Sequence, residues 1–203
     1  NKVNKIKLKK ISNILDENIR LSQVEKPLQS LFERTKDEGI RGLRQSTDDN
    51  ALLGYDSLAQ EIINIPDVKR VYIGSSSGTT AQALLEYFIK NKKNIEVNIV
   101  QTSSCHYMVD GISEDIPKDE ISIADAIVDK TAFRKDKISK LIKDTESKCF
   151  IATNEEISNA LDIVKNNTGI DISPNGVLSI VGLMKDSYTR KLSGTNICIV
   201  CGI

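Results

Sequence analysis

The chain has 203 residues, with 28 Lys and Arg against 28 Asp and Glu, so its formal net charge at pH 7 is zero. This balance provides no overall field that would attract nucleic acid or anionic lipid. No apolar run approaches the ~20 residues that cross a bilayer, and no signal-peptide core opens the chain. The length suffices for one well-packed core, or for one domain and part of another. These properties predict a cytoplasmic protein that binds neither nucleic acid nor membrane.

Helical and strand-like patterns follow one another along the chain. Apolar spacing and turn residues predict the first elements: a helix at 6–15, a strand at 18–22, and helices at 28–38 and 51–63. The second half predicts strands at 68–73, 95–101, 148–152 and 195–200, and helices from about 80 to 90 and at 123–128, 134–144, 155–165 and 177–184. Residues 102–120 are polar and irregular. Apolar strands that alternate with helices predict an α/β fold, a three-layer α/β/α arrangement around a mostly parallel sheet.

The segment from Val71 to Leu84 is the most informative part of the chain. It predicts a buried strand, a turn made of Gly, Ser and Thr, and a helix. Backbone N–H groups and hydroxyls of such a turn converge at the positive end of the helix, which favours an anion. The two glycines, Gly74 and Gly78, allow the backbone to bend and to approach a ligand. The pattern matches neither a P-loop nor a dinucleotide fingerprint, so it predicts a phosphate cradle or, alternatively, an ordinary strand-to-helix turn.

Cysteine and histidine provide no catalytic or metal-binding motif. Cys198 and Cys201 have a Cys-x-x-Cys spacing, but they lie on a predicted strand, where residues three apart point to opposite faces. A shared zinc or a disulfide is therefore not expected, and reduced thiols fit a cytosolic protein. His106 follows Cys105 directly, so their side chains diverge, and no Gly-x-Ser-x-Gly elbow supports a hydrolase triad.

Several segments, in this order, resemble the fold type II pyridoxal-phosphate enzymes, a group with threonine synthase, serine/threonine dehydratase, cysteine synthase and the tryptophan synthase β chain. The segments are Asn50–Ile62, Ile73–Thr80, Ser122–Ile127, Pro174–Gly176 and Ile199–Gly202. The resemblance covers nearly the whole chain. It is closest to the threonine synthase and dehydratase branch, through the first and third segments.

The resemblance implies which residues contact pyridoxal 5'-phosphate. The cofactor's phosphate would be held by Ser75, Ser76, Ser77, Gly78 and Thr79. Cys201 matches the position whose neutral side chain faces the pyridine nitrogen, although a buried core thiol is the alternative interpretation. Gly176 matches a loop near the ring, where a left-handed turn residue is the alternative.

Two motifs of these enzymes are not found. The family holds its cofactor as a Schiff base on an early Lys flanked by Ser, and an Asn-bearing loop follows it. Neither motif is present, so the catalytic residues stay unknown. The resemblance thus implies that the chain begins within the small domain, with residues 1–46 part of that domain and 47–203 a large-domain portion that carries the phosphate loop.

The implied function is that of a pyridoxal-phosphate-dependent lyase or synthase acting on a hydroxy- or phospho-amino acid, threonine synthase-like, in a homodimer. A serine/threonine dehydratase or a cysteine synthase-like enzyme is the alternative within the family. A non-catalytic relative that binds a ligand in the cofactor cleft is a further alternative, since the Lys motif is missing. A last alternative is a generic phosphate-binding α/β domain, which would explain the glycine- and serine-rich turn but not the other segments of the resemblance.

Overall fold

A computed structural model describes residues 5–109 and 121–201, so part of the irregular 102–120 segment and Gly202 lie outside the described residues. The chain forms two compact units, residues 1–43 and residues 44–203. The helices are α1 (Lys5–Ser12), α2 (Pro27–Asp37), α3 (Asn50–Leu53), α4 (Asp56–Ile63), α5 (Thr79–Lys90), α6 (Lys135–Thr145), α7 (Asn154–Thr168) and α8 (Pro174–Thr189). The strands are β1 (Val68–Gly74), β2 (Glu96–Thr102), β3 (Cys149–Ala152) and β4 (Thr195–Ile199).

The first unit contains α1 and α2, and the strand predicted at 18–22 does not form there. The Asp16 carboxylate accepts hydrogen bonds from the N–H groups of Asn18 and Ile19, at 2.7 and 3.0 Å. This local turn uses backbone donors that strand pairing would need. The helix predicted at 28–38 is present as α2, which opens at Pro27.

The second unit is built on one parallel sheet with the strand order β3-β2-β1-β4. The central strand β1 pairs with β2 and β4 on its two sides, and Ile73 lies opposite Ile99 in β2 and Ile199 in β4. Because the strands are parallel, their carboxyl ends meet at one edge of the sheet. The predicted parallel sheet is confirmed.

Helices cover both faces of this sheet. On one face α5 packs on β2 and is itself covered by α3, α4 and α6, while α8 packs on all four strands of the other face and contacts α7. Ile73 and Val97 are buried toward α5, and Val100 is buried with Leu178 of α8. The predicted three-layer α/β/α architecture is therefore confirmed, and it explains the continuous apolar runs in the strands.

Three predicted helices differ in the structure. The helix predicted at 51–63 is divided at Gly54 and Tyr55 into α3 and α4. Residues 123–128 are irregular, because the N–H groups of Ala126 and Val128 donate to the side chains of Asn175 and Ser76, which lie in other parts of the fold. Helix α8 extends beyond the predicted 177–184, from Pro174 to Thr189, because Ser173 caps it and proline suits its first turn.

A buried carboxylate links α8 to the sheet. Asp186 is fully buried and accepts hydrogen bonds from the Tyr72 hydroxyl (2.7 Å), the Lys148 ammonium (3.1 Å) and the Arg190 Nε (2.8 Å). Arg190 also donates to Glu96 at the start of β2. Burial alone raises the pKa of Asp186, but the bonds from Arg190, Tyr72 and Lys148 outweigh it and hold that pKa at about 2.

Candidate cofactor-binding site

The predicted site residues meet at the carboxyl edge of the sheet, between β1 and β4. The chain leaves β1 into α5 on one face, and it enters β4 from α8 on the other face. Crossovers that diverge in this way open a crevice at the strand ends, which is where open α/β sheets bind ligands. The loop 75–78 follows β1, and Cys201 follows β4.

The first turn of α8 closes onto the end of β1 because residue 74 is a glycine. A Cβ added to Gly74 would lie 2.9 Å from the Leu178 Cβ and 3.1 Å from the Asn175 carbonyl oxygen. The absence of a side chain thus lets α8 begin directly beside the loop. Two helix N-termini, those of α5 and α8, consequently lie at the same edge of the sheet.

Gly78 turns the chain from the loop into α5. Its φ is +81°, in the left-handed region that glycine occupies without a steric penalty, and it is the N-cap of the helix. Its N–H donates to the Ser75 hydroxyl at 3.1 Å, and the Ser75 N–H donates to the Val100 carbonyl in β2 at 3.0 Å. The loop is therefore anchored to the sheet at its start and closed by its own side chain.

Backbone donors at the start of α5 match an anion. Among the residues that the structure describes, no acceptor meets the N–H groups of Ser76, Ser77, Thr79 and Thr80. The first N–H groups of a helix have no intrahelical partner and carry the positive end of its dipole. Several donors directed to one place are suited to a phosphate, which fits the predicted cradle.

Some hydroxyl groups of the predicted site residues bond to other parts of the protein, and others remain available to a ligand. The Ser76 Oγ accepts the N–H groups of Val128 and Asp129, both at 3.0 Å, and the Thr79 hydroxyl donates to the Gln45 carbonyl at 3.2 Å. Thr79 is only 2% exposed. The Ser77 Oγ is partly exposed and lies 3.0 Å from the Thr79 Oγ1. Ser75, Ser76 and Thr79 therefore shape the loop, while Ser77 and the backbone amides remain to contact a ligand.

The stretch 122–129, which contains the resemblance segment Ser122–Ile127, is held against this loop, and the helix predicted at 123–128 does not form. Its end is attached to Ser76 by the two bonds just described. Its middle is attached to α8, because the Ala126 N–H donates to the Asn175 side-chain oxygen at 3.0 Å and the Asn175 amide donates to Asp125 at 2.9 Å. The Asp125 carboxylate thus belongs to this connection, whereas the Asp129 carboxylate accepts the Thr131 N–H at 3.0 Å and lies 3.7 Å from the Arg44 guanidinium.

Gln101 is a supporting residue that the sequence analysis did not identify. It is fully buried, and its amide donates to the carbonyls of Ser75 (3.0 Å) and Ser76 (3.3 Å) while its oxygen accepts the Met108 N–H at 2.9 Å. A glutamine within an otherwise apolar buried strand is the signal that could have revealed it, because a buried amide requires partners.

Gly176 and Cys201 lie together at the same edge of the sheet, in the first turn of α8 and just after β4. Gly176 is buried in the first turn of α8 and donates its N–H to the Ser173 hydroxyl at 3.1 Å, and this hydroxyl lies 3.4 Å from the Cys201 carbonyl oxygen. Because Gly176 is helical, its interpretation as a left-handed turn residue is wrong. Cys201 is exposed, so the buried-core interpretation is wrong as well. Although the residue as a whole is exposed, partial burial of its sulfur raises the pKa of the Cys201 thiol above its ordinary value, so the thiol is protonated at neutral pH.

Comparisons with known proteins agree with this geometry. The family model described as pyridoxal-phosphate dependent enzyme matches residues 14–202. A pyridoxal 5'-phosphate-dependent aspartate racemase superposes with a TM-score of 0.76 at 17% identity, over 98% of this chain and 62% of the racemase. The serine racemase from Dictyostelium discoideum has a TM-score of 0.71 at 14% identity, over 98% of this chain and 65% of that one. No curated protein sequence matches the chain.

A threonine deaminase from Solanum lycopersicum superposes with a TM-score of 0.63 at 17% identity, over 85% of this chain and 52% of the deaminase. The chain thus spans between half and two thirds of the length of these structures. It belongs to the family of pyridoxal-phosphate dependent enzymes, and its fold is that of the fold type II group. The cofactor of this family is pyridoxal 5'-phosphate.

Proposed function

We propose that the crevice binds pyridoxal 5'-phosphate. We also propose that the chain forms part of a lyase or synthase that acts on a hydroxy- or phospho-amino acid, in the manner of threonine synthase. The observation that carries the cofactor assignment is the set of unpaired N–H groups at Ser76, Ser77, Thr79 and Thr80. The substrate assignment rests on the resemblance of Asn50–Ile62 and Ser122–Ile127 to that branch.

The loop and the two helix starts would bind and orient the cofactor. The amides of the α5 start and the Ser77 hydroxyl would hold the phosphate, and Gly176 would allow the backbone to approach the ring. Cys201 would offer a neutral, protonated thiol to the pyridine nitrogen, since the pKa of this thiol is raised. When bound, the cofactor supplies an electron sink for carbanion chemistry, and a neutral partner at its nitrogen favours elimination and replacement over transamination.

The organisation of the larger assembly is also a proposal. We assign residues 1–46 to part of the small domain and residues 47–203 to the large-domain portion, in a cytoplasmic homodimer. The resemblance to the fold type II group supports this assignment. In the described parts of the chain, no helix is long and apolar enough to cross a membrane.

A charge placed in the cradle tests the cofactor assignment without disturbing the fold. In a Ser77→Asp variant, the new carboxylate lies near the positive end of α5, so the free energy of unfolding should stay unchanged or rise slightly. The same carboxylate repels a phosphate. We therefore expect a roughly tenfold or larger loss of affinity for pyridoxal 5'-phosphate, measured by absorbance titration, and no loss for pyridoxal, which has no phosphate.

The matched control is Thr153→Asp, which introduces a carboxylate at the N-cap of α7, a capping position outside the crevice. Its cofactor affinity should equal that of the parent chain. The phosphate cradle would be contradicted if the Ser77→Asp variant bound pyridoxal 5'-phosphate as tightly as the parent chain does. Equal binding of pyridoxal and its phosphate by the parent chain would contradict it as well.

Two activity assays separate a synthase from a dehydratase. A synthase releases phosphate from a phospho-amino acid, whereas a dehydratase forms an oxo acid from L-threonine.

A further inference from the structure

Arg134, the residue that precedes α6, is a buried cation that holds the segment before α3 against α5. Its side chain is 4% exposed, and a guanidinium is seldom buried unless its donors are paired. The Nη1 atom donates to the Asp49 carboxylate at 2.8 Å and to the Gln82 side-chain oxygen at 2.9 Å. The Nη2 atom donates to the carbonyls of Gln45 at 2.8 Å and Asp48 at 3.1 Å. Because the guanidinium is planar, these four bonds fix the segment before α3 relative to α5.

The Gln45 carbonyl oxygen connects Arg134 to the start of α5. Besides the Arg134 Nη2, it accepts the Thr79 hydroxyl at 3.2 Å. A carbonyl oxygen has two lone pairs, so these two donors satisfy it. Thr79 is the buried first residue of α5, next to Gly78. Arg134 therefore reaches the first turn of α5 through a single shared oxygen.

Counting hydroxyl protons gives the direction of the next hydrogen bond. Thr79 has one hydroxyl proton, which it donates to Gln45. The Ser77 Oγ lies 3.0 Å from the Thr79 Oγ1, so Ser77 is the donor of this pair and Thr79 the acceptor. Arg134, Gln45, Thr79 and Ser77 thus form a hydrogen-bond chain that ends at the partly exposed hydroxyl of the cradle. The Ser77 proton can rotate toward a phosphate while its oxygen stays in place, because a charge-assisted bond is stronger than a neutral one.

The start of α6 supports the same loop by packing. Ile138 lies one turn after Arg134, and its N–H donates to the Arg134 carbonyl at 2.9 Å. Its side chain is buried against Gly78, where an added Cβ would overlap the Ile138 Cδ1 atom. The residues that begin α6 therefore contact the loop from one side and connect to its hydroxyls through Gln45.

We propose that Arg134 is a positioning residue for the phosphate site: through the Gln45 carbonyl it orients the hydroxyls of Thr79 and Ser77. It does not itself contact the cofactor. The inference rests on the proposed function, since it places the phosphate at the start of α5. A phosphate then meets groups that are already held in place, which spares the cost of ordering them on binding.

Conservative variants separate this role from a general contribution to folding. Thr79→Val removes the hydroxyl and keeps the branched shape, whereas Thr79→Ser keeps the hydroxyl. Arg134→Lys keeps the charge but loses the planar fork that holds four acceptors. The matched control is Arg70→Lys, because Arg70 is 9% exposed and pairs with Glu96 near the start of β1, whereas the loop follows the end of that strand.

Absorbance titration gives the ratio of the affinities for pyridoxal 5'-phosphate and for pyridoxal, which reports the phosphate contacts alone. We expect this ratio to fall roughly fivefold in Thr79→Val and in Arg134→Lys, and to stay within about twofold of the parent value in Thr79→Ser and Arg70→Lys. The double variant Arg134→Lys/Thr79→Val should lose no more than Thr79→Val alone, because Arg134 acts through that hydroxyl. A parental ratio in Arg134→Lys, or an additive loss in the double variant, would overturn the inference.

Amide NMR of the unliganded chain tests the hydrogen-bond chain with no cofactor present. Arg134→Lys should shift the Ser77 amide resonance in the parent background, and should leave it in place in the Thr79→Val background, where the hydroxyl link is already absent. No shift in the parent background, or equal shifts in both backgrounds, would overturn the inference. If the parent chain bound pyridoxal and its phosphate equally, the proposed function would fail, and the background-dependent Ser77 shift would still decide whether Arg134 orients these hydroxyls.

Discussion

Gly78→Ala tests the backbone conformation on which the cradle depends. At φ +81° an L-residue costs about 1–2 kcal/mol more than glycine. The added Cβ would also lie 2.9 Å from the Met108 Cε and closer still to the Ile138 Cδ1. Both atoms are ends of flexible core side chains, and repacking of this kind costs about 1–3 kcal/mol. The two costs together should lower the free energy of unfolding by about 2–5 kcal/mol. This is a large part of the free energy of unfolding of a typical domain, which is about 5–15 kcal/mol.

Gly169→Ala is the matched control for this variant. Gly169 has φ +71° at the C-cap of α7, and nothing lies within 4 Å of a Cβ added there. The free energy of unfolding of Gly169→Ala should therefore fall only by the cost of the left-handed backbone conformation, about 1–2 kcal/mol. Ile138→Val removes the crowding Cδ1 atom, so the double variant Gly78→Ala/Ile138→Val should lose less than the sum of its single changes.

Urea unfolding, followed by circular dichroism, measures all of these variants. The midpoint of Gly78→Ala should fall clearly below that of Gly169→Ala, with similar slopes. Equal losses in the two glycine variants would show that the core does not crowd residue 78. An additive double variant would show that Ile138 is not the crowding side chain, and an unchanged Gly78→Ala would refute the left-handed loop itself.

Three further predictions concern the rest of the fold. Asp186→Asn should lower the free energy of unfolding by about 3–5 kcal/mol, because the charged partners of this residue lose a buried carboxylate. The pKa of Asp186 is held at about 2 in the fold, so the stability that its carboxylate provides is present above pH ~4. Urea unfolding at a series of pH values should show this stability being lost as the pH falls from there through about 2. Gly182→Ala should destabilise the protein by about 1–3 kcal/mol in the same assay, because the new methyl group would overlap the Val100 side chain of β2. The thiols of Cys149 and Cys198, whose pKa values burial raises to about 12, should react with iodoacetamide far more slowly in the folded than in the unfolded chain, as peptide mass spectrometry would measure.

The parallel sheet and the turn into α5 could be predicted because their signals are local. Uninterrupted apolar runs such as Val71–Ile73 occur where both faces of a strand are covered, and glycine at residue 78 marks a turn that other residues resist. The strand predicted at 18–22 was wrong because a single side chain, Asp16, captures two of its N–H groups. The prediction of a helix at 123–128 was wrong for a similar reason, because N–H groups of this stretch bond to side chains that are distant in the sequence.

The site was predictable in position but not in the division of roles within it. A run of serines gives no indication that Ser76 bonds to residues 128 and 129, because that contact depends on how distant segments fold together. The same holds for Gln101 and Asn175, whose partners lie in other elements. Sequence spacing identifies which residues lie in one turn, whereas tertiary packing decides which donors remain available to a ligand.

The most direct test of the central claim is to map the amide resonances of the chain by NMR as pyridoxal 5'-phosphate is added. We predict the largest shifts at the amides of Ser76, Ser77, Thr79 and Thr80, with little change when pyridoxal replaces its phosphate. Shifts that avoid these amides, or that are the same for both compounds, would contradict a phosphate cradle at the start of α5.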